Sequence, residues 1–162
     1  GGVPGLWAYK AVSTMDSMWG YRTERFRLLG RAAARADDVM AFVPARLTAW
    51  AMLLAARLPS PVGGLDAELD FPAARGYAAH DGRRMASPNA GRPMAMAAWL
   101  VGGTMGGPAV YFGETHDKPV LGPEGREWTD QRLGTLLALV RRSGWVLLLG
   151  MQGALWCVKA VL

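Results

Sequence analysis

The sequence predicts an all-α, polytopic integral membrane protein in which amphipathic helices are joined by long polar loops. Three observations carry that expectation. Hydrophobic residues make up 51% of the 162 positions and charged residues 19%, while mean hydropathy is +0.11, so apolar segments must alternate with substantial polar stretches. The last nineteen residues, Gly144 to Leu162, are apolar apart from Gln152 and Lys159. Polar side chains in the first forty residues recur at helical spacing.

At about 100° per residue, Lys10, Ser13, Thr14 and Ser17 fall in one arc and Ala11, Met15, Met18 and Trp19 in another, with Asp16 at the edge of the polar arc. Gly20-Tyr21 interrupts this helix. A second is expected from about Thr23 to Phe42, with Arg31, Arg35 and Asp38 on one face, until Pro44 ends or kinks it. Leu47 to Leu58 is too short for a straight span of about 20 residues, which leaves a tilted or re-entrant membrane segment or a core helix. Pro59 to Asp70 reads as an acidic, turn-rich connector. Met94 to Phe112 is uncharged; a helix to about Leu100 followed by a glycine-rich loop is expected, because Gly102-Gly103 and Gly106-Gly107-Pro108 interrupt it. Glu114 to Arg132 reads as a solvated loop leading into a helix that starts near Thr129-Asp130. The terminal run is the strongest transmembrane candidate, with Trp145 and Trp156 as interfacial anchors, Lys159 snorkelling, and Arg141-Arg142 on the cytoplasmic side. A buried soluble helix is the competing reading.

A formal charge of +5 and a pI near 9.9 admit nucleic acid, an anionic lipid surface or a negatively charged substrate as partners. Of the 18 basic residues only Lys10, Lys118 and Lys159 are lysines. Arginine dominance suits planar, bidentate holding of phosphates and carboxylates, and it is equally a habit of GC-rich genomes. Cys157 is alone, which rules out an internal disulfide, and His80 and His116 lie too far apart to suggest a zinc pair. The chain begins Gly1-Gly2-Val3-Pro4, with no basic stretch leading into an apolar core. No signal peptide is read, and the natural start is expected upstream. No repeat marks an array, and one domain over residues 1–162 is expected.

Phosphate-binding and hydrolase signatures of the usual kinds are absent. Four clusters of polar groups stand out instead. Ala8 to Arg22 places Lys10 and Asp16 within two helical turns, a cation for phosphate and a carboxylate for Mg²⁺, or an ordinary solvated face. Arg35-Ala36-Asp37-Asp38 precedes Pro44-Ala45-Arg46; adjacent carboxylates point about 100° apart, so Asp38 alone is expected to join Arg31 and Arg35. Ser87-Pro88-Asn89-Ala90-Gly91 reads as a turn whose Asn side chain and free N–H groups suit an anion, or one that only reverses the chain. Gly106 to Glu114, with Tyr111 inside it, brings backbone close to a flat ligand or merely punctuates.

In this order the four blocks, followed by Lys118-Pro119 and Leu121-Gly122, resemble the C-terminal half of the cobalamin-biosynthesis family called CobD or CbiB, the adenosylcobinamide-phosphate synthases. The resemblance implies a bacterial inner-membrane, multi-pass enzyme. Such an enzyme joins (R)-1-amino-2-propanol phosphate, or a related amino alcohol, to a carboxylate of adenosylcobyric acid using ATP and Mg²⁺. Implied partners are those two substrates, membrane lipid and other corrin-pathway membrane enzymes, without nucleic acid. Under this resemblance Lys10, Asp16, Asp38 and Asn89 are the catalytic candidates, Arg22, Arg35, Arg46, Ser87 and Tyr111 the substrate and phosphate ligands, and Asp16, Asp37 and Asp38 the metal ligands. The sequence departs from the family at Ala41, Arg92 and Met94, where relatives carry Asn, Trp and Glu, and near Met85, where they carry a His. His80 and Asp81 are close enough in sequence to replace a lost base. The alternative is a non-catalytic membrane scaffold for corrin enzymes; a soluble basic binding module is a further one.

Overall fold

The computed structural model describes residues 2–19, 27–58, 71–111 and 114–161. Five helices and two small β-ladders follow one another: α1 (Gly2–Trp19), α2 (Arg27–Arg57), α3 (Phe71–Arg84), α4 (Pro88–Val101), β1 (Met105–Gly106), β2 (Ala109–Tyr111), β3 (Glu114–His116), β4 (Val120–Leu121) and α5 (Asp130–Val161). The all-α class is therefore as the sequence predicts, with a short β element that it does not foresee. Two compact units are present, Gly1–Pro44 and Ala45–Leu162.

The first unit holds α1 and the opening half of α2. On α1 no residue is fully buried, and Val12, Asp16 and Trp19 are half-covered, so Asp16 sits on the covered stripe rather than at the edge of the polar arc. On α2, Gly30 and Ala33 are buried and Asp37 and Met40 half-buried, at the i, i+3, i+7, i+10 spacing of one helical face. Arg31, Arg35 and Asp38 lie together on the exposed side, as their spacing predicts.

Pro44 neither ends α2 nor separates it from Leu47 to Leu58: the helix continues to Arg57. Proline removes one i to i−4 hydrogen bond. The alanine-rich sequence on either side, Ala41 and then Ala45, Ala49 and Ala51, favours helix strongly enough to carry the chain past it. Beyond Pro44, Ala45, Met52, Leu53 and Ala56 are buried while Leu47, Trp50, Leu54 and Leu58 are exposed, so this half is apolar on both sides.

Helix α3, absent from the sequence reading, pairs with α4 to form the centre of the second unit. Small residues at i, i+4 and i+8 on α3 (Ala74, Ala78, Gly82) face Gly91, Ala95 and Ala98 on α4, and the alanines of both rows are fully buried. Such rows let backbones approach closely. At Gly91 a Cβ would lie 2.8 Å from Met85 Cβ and would strike the Gly82 carbonyl oxygen. Gly91→Ala is accordingly expected to lower stability by about 1–3 kcal/mol through overpacking. Gly76→Ala on α3, where the new methyl meets nothing, should raise it by about 0.5–1 kcal/mol. Thermal unfolding of the two variants in the same detergent checks the contrast.

The segment Ser87 to Gly91 is the start of α4 rather than a turn with open donors. Ser87 is the N-cap: its Oγ accepts from Ala90 N at 3.5 Å and its carbonyl from Gly91 N at 2.9 Å. Gly102, at φ 68°, closes the same helix in the left-handed conformation. The expected solvated loop then proves partly ordered. β1 pairs antiparallel with β4 (Met105 opposite Leu121) and β2 with β3 (Ala109 opposite His116), a nested double ladder. Thr104 fastens its base, with Oγ1 donating to the Pro123 carbonyl at 2.6 Å and its own carbonyl accepting from Trp128 Nε1 at 2.7 Å. The Pro59 to Asp70 connector lies outside the described residues.

Helix α5 starts where expected: Thr129 Oγ1 accepts from Arg132 N at 3.3 Å, and Asp130 in the first turn complements the helix dipole. Leu136, Leu139, Ser143 and Val146 pack inward, and Leu139 belongs to the core. Past Val146 the helix is apolar on all sides and uncovered, with Leu149, Met151, Leu155, Trp156 and Val158 exposed. Eighteen residues from Gly144 to Val161 rise about 27 Å at 1.5 Å each, close to the hydrocarbon thickness of about 30 Å. Among the described residues two helices, Leu28–Arg57 and Asp130–Ala160, are long and apolar enough to cross a membrane, and only 11% of the apolar window of the second is buried within the protein.

Candidate functional site

A cavity of about 160 Å³ opens on the second unit where three helices meet. From α2 it takes Arg46, Trp50 and Leu53, spaced at i, i+4 and i+7 on one face; α3 contributes Arg75, and α4 contributes Arg92 and Met96. Three arginines thus come from three helices, and among the described residues that line the cavity there is no carboxylate. Each cation is held differently. Arg46 Nη1 donates to Asn89 Oδ1 at 3.3 Å, and Asn89 is itself buried. Arg75 lies over the Trp50 ring, 5.3 Å from its centroid. Arg92 Nε is buried and has no hydrogen-bond partner. Arg92 also stands close enough to Arg46 for the two charges to act against each other.

A second polar centre lies at Asp81, buried between α3, α4 and β4. Its Oδ2 accepts from Trp99 Nε1 at 2.8 Å and from Gly122 N at 3.2 Å, while His80 Nδ1 and Arg84 Nη1 lie 3.4 and 4.0 Å from Oδ1. Gly122 turns at φ 85°, and a Cβ there would lie 2.7 Å from the Gly103 carbonyl oxygen, so only glycine delivers this N–H to the carboxylate. Tyr77 stacks on the Trp99 ring at 4.8 Å. These contacts tie Asp81 to the fold, whereas His80 is largely exposed. Buried, and accepting two N–H groups at Oδ2, the carboxylate of Asp81 works as a structural tie, with its Oδ1 beside His80 and Arg84.

In the first unit the three acidic candidates are brought together. Half-buried Asp37 lies within reach of the charges of both Asp16 and Asp38, which repel its own. Asp37 is the half-buried carboxylate of the adjacent pair, and Asp38 faces outward with Arg31 and Arg35. Among the described residues no group of three His, Cys, Asp or Glu side chains is set to enclose a metal ion. Mg²⁺ is commonly held by one or two carboxylates plus phosphate oxygens, and a repelling Asp16–Asp37 pair suits that arrangement. Lys10, six residues from Asp16 and so about 120° around the helix, is exposed.

The structure thus groups the remaining candidates by unit. Lys10, Asp16, Arg35, Asp37 and Asp38 belong to the first, and Arg46, Ser87, Asn89 and Tyr111 to the second. Arg46 lines the cavity, Asn89 orients Arg46, and Ser87 serves as a helix cap in place of an anion ligand. Tyr111 ends β2, paired with Glu114, and Arg22 lies outside the described residues. Arg75 and Arg92 were not among the sequence candidates. Arg92 had a signal, as a position where the sequence departs from the family pattern that it resembles; Arg75 had none, because α3 was not recognised.

Comparison with known proteins places these features in context. The family model described as CobD/Cbib protein matches residues 1–140. A cobalamin biosynthesis protein CobD from Geobacter metallireducens is 46% identical over 122 residues, covering 75% of this chain and 36% of the relative. Its counterpart from Photorhabdus laumondii is 39% identical over 142 residues (86% and 42%), and that from Rhodobacter capsulatus 36% over 160 residues (98% and 47%). The chain spans less than half the length of these relatives. No solved structure matches.

Proposed function

The chain belongs to the CobD/CbiB family, and from that membership we propose that it works in cobalamin biosynthesis as part of an adenosylcobinamide-phosphate synthase of the bacterial inner membrane, multi-pass in its full length. The reaction joins aminopropanol phosphate, or a related amino alcohol phosphate, to a side-chain carboxylate of adenosylcobyric acid at the expense of ATP. The observation that carries this reading is the three-arginine cavity, a cationic site with no carboxylate among its described lining residues, in a family whose relatives are named for cobalamin biosynthesis.

Amide formation from a carboxylate and an amine is uphill in water, so the carboxylate must be activated. Phosphoryl transfer from ATP supplies an acyl phosphate, which the amine then attacks with release of phosphate. Mg²⁺, when bound, would neutralise phosphate charge during that transfer, and Asp16 and Asp37 are the residues to hold it. Lys10 offsets further negative charge from the same helix. Arg46, aimed by Asn89, grips a phosphate through paired N–H groups. Pre-set cations of this kind act where charge develops and need no reorganisation at the moment of reaction.

The test is direct. Membranes bearing the full-length protein should form amide from adenosylcobyric acid, amino-alcohol phosphate and ATP, and the protein should stay with the membrane through alkaline carbonate extraction. A properly inserted protein that makes no amide turns the reading to a non-catalytic scaffold of corrin enzymes, and release by carbonate turns it to a soluble binding module.

A further inference from the structure

The reaction proposed above uses two phosphorylated molecules of very different size. The cavity volume is about 160 Å³. A phosphate group with a short tail fits such a space. Pockets that enclose drug-sized ligands run to about 300–1,000 Å³, so this one does not enclose a whole nucleoside triphosphate. We infer that Arg46, Arg75 and Arg92 form a seat for a small phosphate monoester, with its short organic tail against Trp50, Leu53 and Met96. The identity of that ester as the phosphorylated amine rests on the reaction proposed above; the seat itself rests on geometry and charge.

Charge balance favours a dianion. A phosphate monoester carries about −1.5 to −2 at neutral pH. Arg46 and Arg92 act against each other's charge at the cavity, and a dianion bound between them relieves that repulsion. Shape favours phosphate over carboxylate. Donors arriving from α2, α3 and α4 converge from three directions, which matches oxygens pointing to the corners of a tetrahedron better than the two coplanar oxygens of a carboxylate. Arg92 Nε, buried without a partner, is a donor waiting for such an oxygen. Exposed Arg75, resting on Trp50, stands at the cavity as the residue through which a ligand enters.

Such an ester comes either free in solution or as the headgroup of an anionic lipid. The experiment takes the full chain in detergent and titrates it calorimetrically with ethyl phosphate, with inorganic phosphate and ATP as competitors. The same chain is then offered vesicles of phosphatidylcholine with and without phosphatidic acid. Expected is saturable binding of ethyl phosphate, displaced by inorganic phosphate and weakened about tenfold or more in Arg75→Gln and in Arg92→Gln, but not in Arg83→Gln. Arg75→Gln changes an exposed side chain, so its fold is expected to persist even if Arg92→Gln unfolds. Vesicle binding that needs phosphatidic acid and both arginines, and that blocks ethyl phosphate, identifies the lipid headgroup as the source; soluble binding alone identifies the free ester. Ethyl phosphate binding that is absent, or unchanged by both replacements, overturns the seat, as does displacement by ATP at lower concentration than by ethyl phosphate. Loss of the proposed ligation with ester binding intact would sink the reaction and leave the seat; ligation unchanged while ester binding ignores Arg75 and Arg92 does the reverse.

Discussion

Replacing Asp81 with alanine is expected to lower stability by about 2–5 kcal/mol, the largest loss of any single polar substitution in the second unit. The variant strands two N–H donors at once, the Trp99 indole and the Gly122 backbone, each now satisfied by Oδ2. A buried donor without an acceptor costs about 1–3 kcal/mol. Asp81 also joins three elements that share the buried cluster around Ala78, Leu100 and Leu121, so its loss loosens α3, α4 and the base of the ladder together. Asp81→Asn keeps an acceptor oxygen and should forfeit about half as much. Denaturant unfolding in detergent, followed through tryptophan fluorescence, measures both. Wild-type stability in Asp81→Ala would show that the carboxylate is not a structural tie and would restore it as a candidate base.

Asp16→Asn is expected to reduce amide formation about a hundredfold or more while membrane insertion stays intact, and Lys10→Ala should do likewise. The stability readout separates a chemical from a structural role. Neutralising Asp16 relieves repulsion on Asp37, so the fold should be unchanged or slightly firmer as turnover falls. Lys10 is exposed, and its truncation removes a charge without opening a cavity. A drop in turnover accompanied by equal destabilisation would point to misfolding instead. Wild-type rates in both variants would remove α1 from the mechanism.

The errors of the sequence reading have a common origin. Pro44 is a strong local breaker, yet its neighbours are helix formers and the segment beyond it buries Ala45, Met52 and Leu53, so α2 continues. Helix α3 carries the polar run Arg83-Arg84 and two glycines, which blur its periodicity; its identity comes from the alanines and Gly82 that α4 demands of it. Glycines 102 to 122 look like loop composition and do form turns, but pairing between residues far apart in that stretch makes them the corners of a ladder.

The sequence by itself determined the helical class, the terminal membrane-length apolar run, the shared face of Arg31, Arg35 and Asp38, and the ordered blocks that mark the family. All of these depend on spacing along one helix or on contiguous residues. Only the tertiary structure decided that Asp37 is the half-buried carboxylate on which the charge of Asp16 acts, that Asn89 serves Arg46, and that Arg75 and Arg92 complete a cationic cavity. Helical spacing sets the direction of a side chain about its own axis, but convergence depends on how closely neighbouring helices pack. Here the contact of Gly82 with Gly91 sets that distance, and it brings the arginines of α3 and α4 to the same opening.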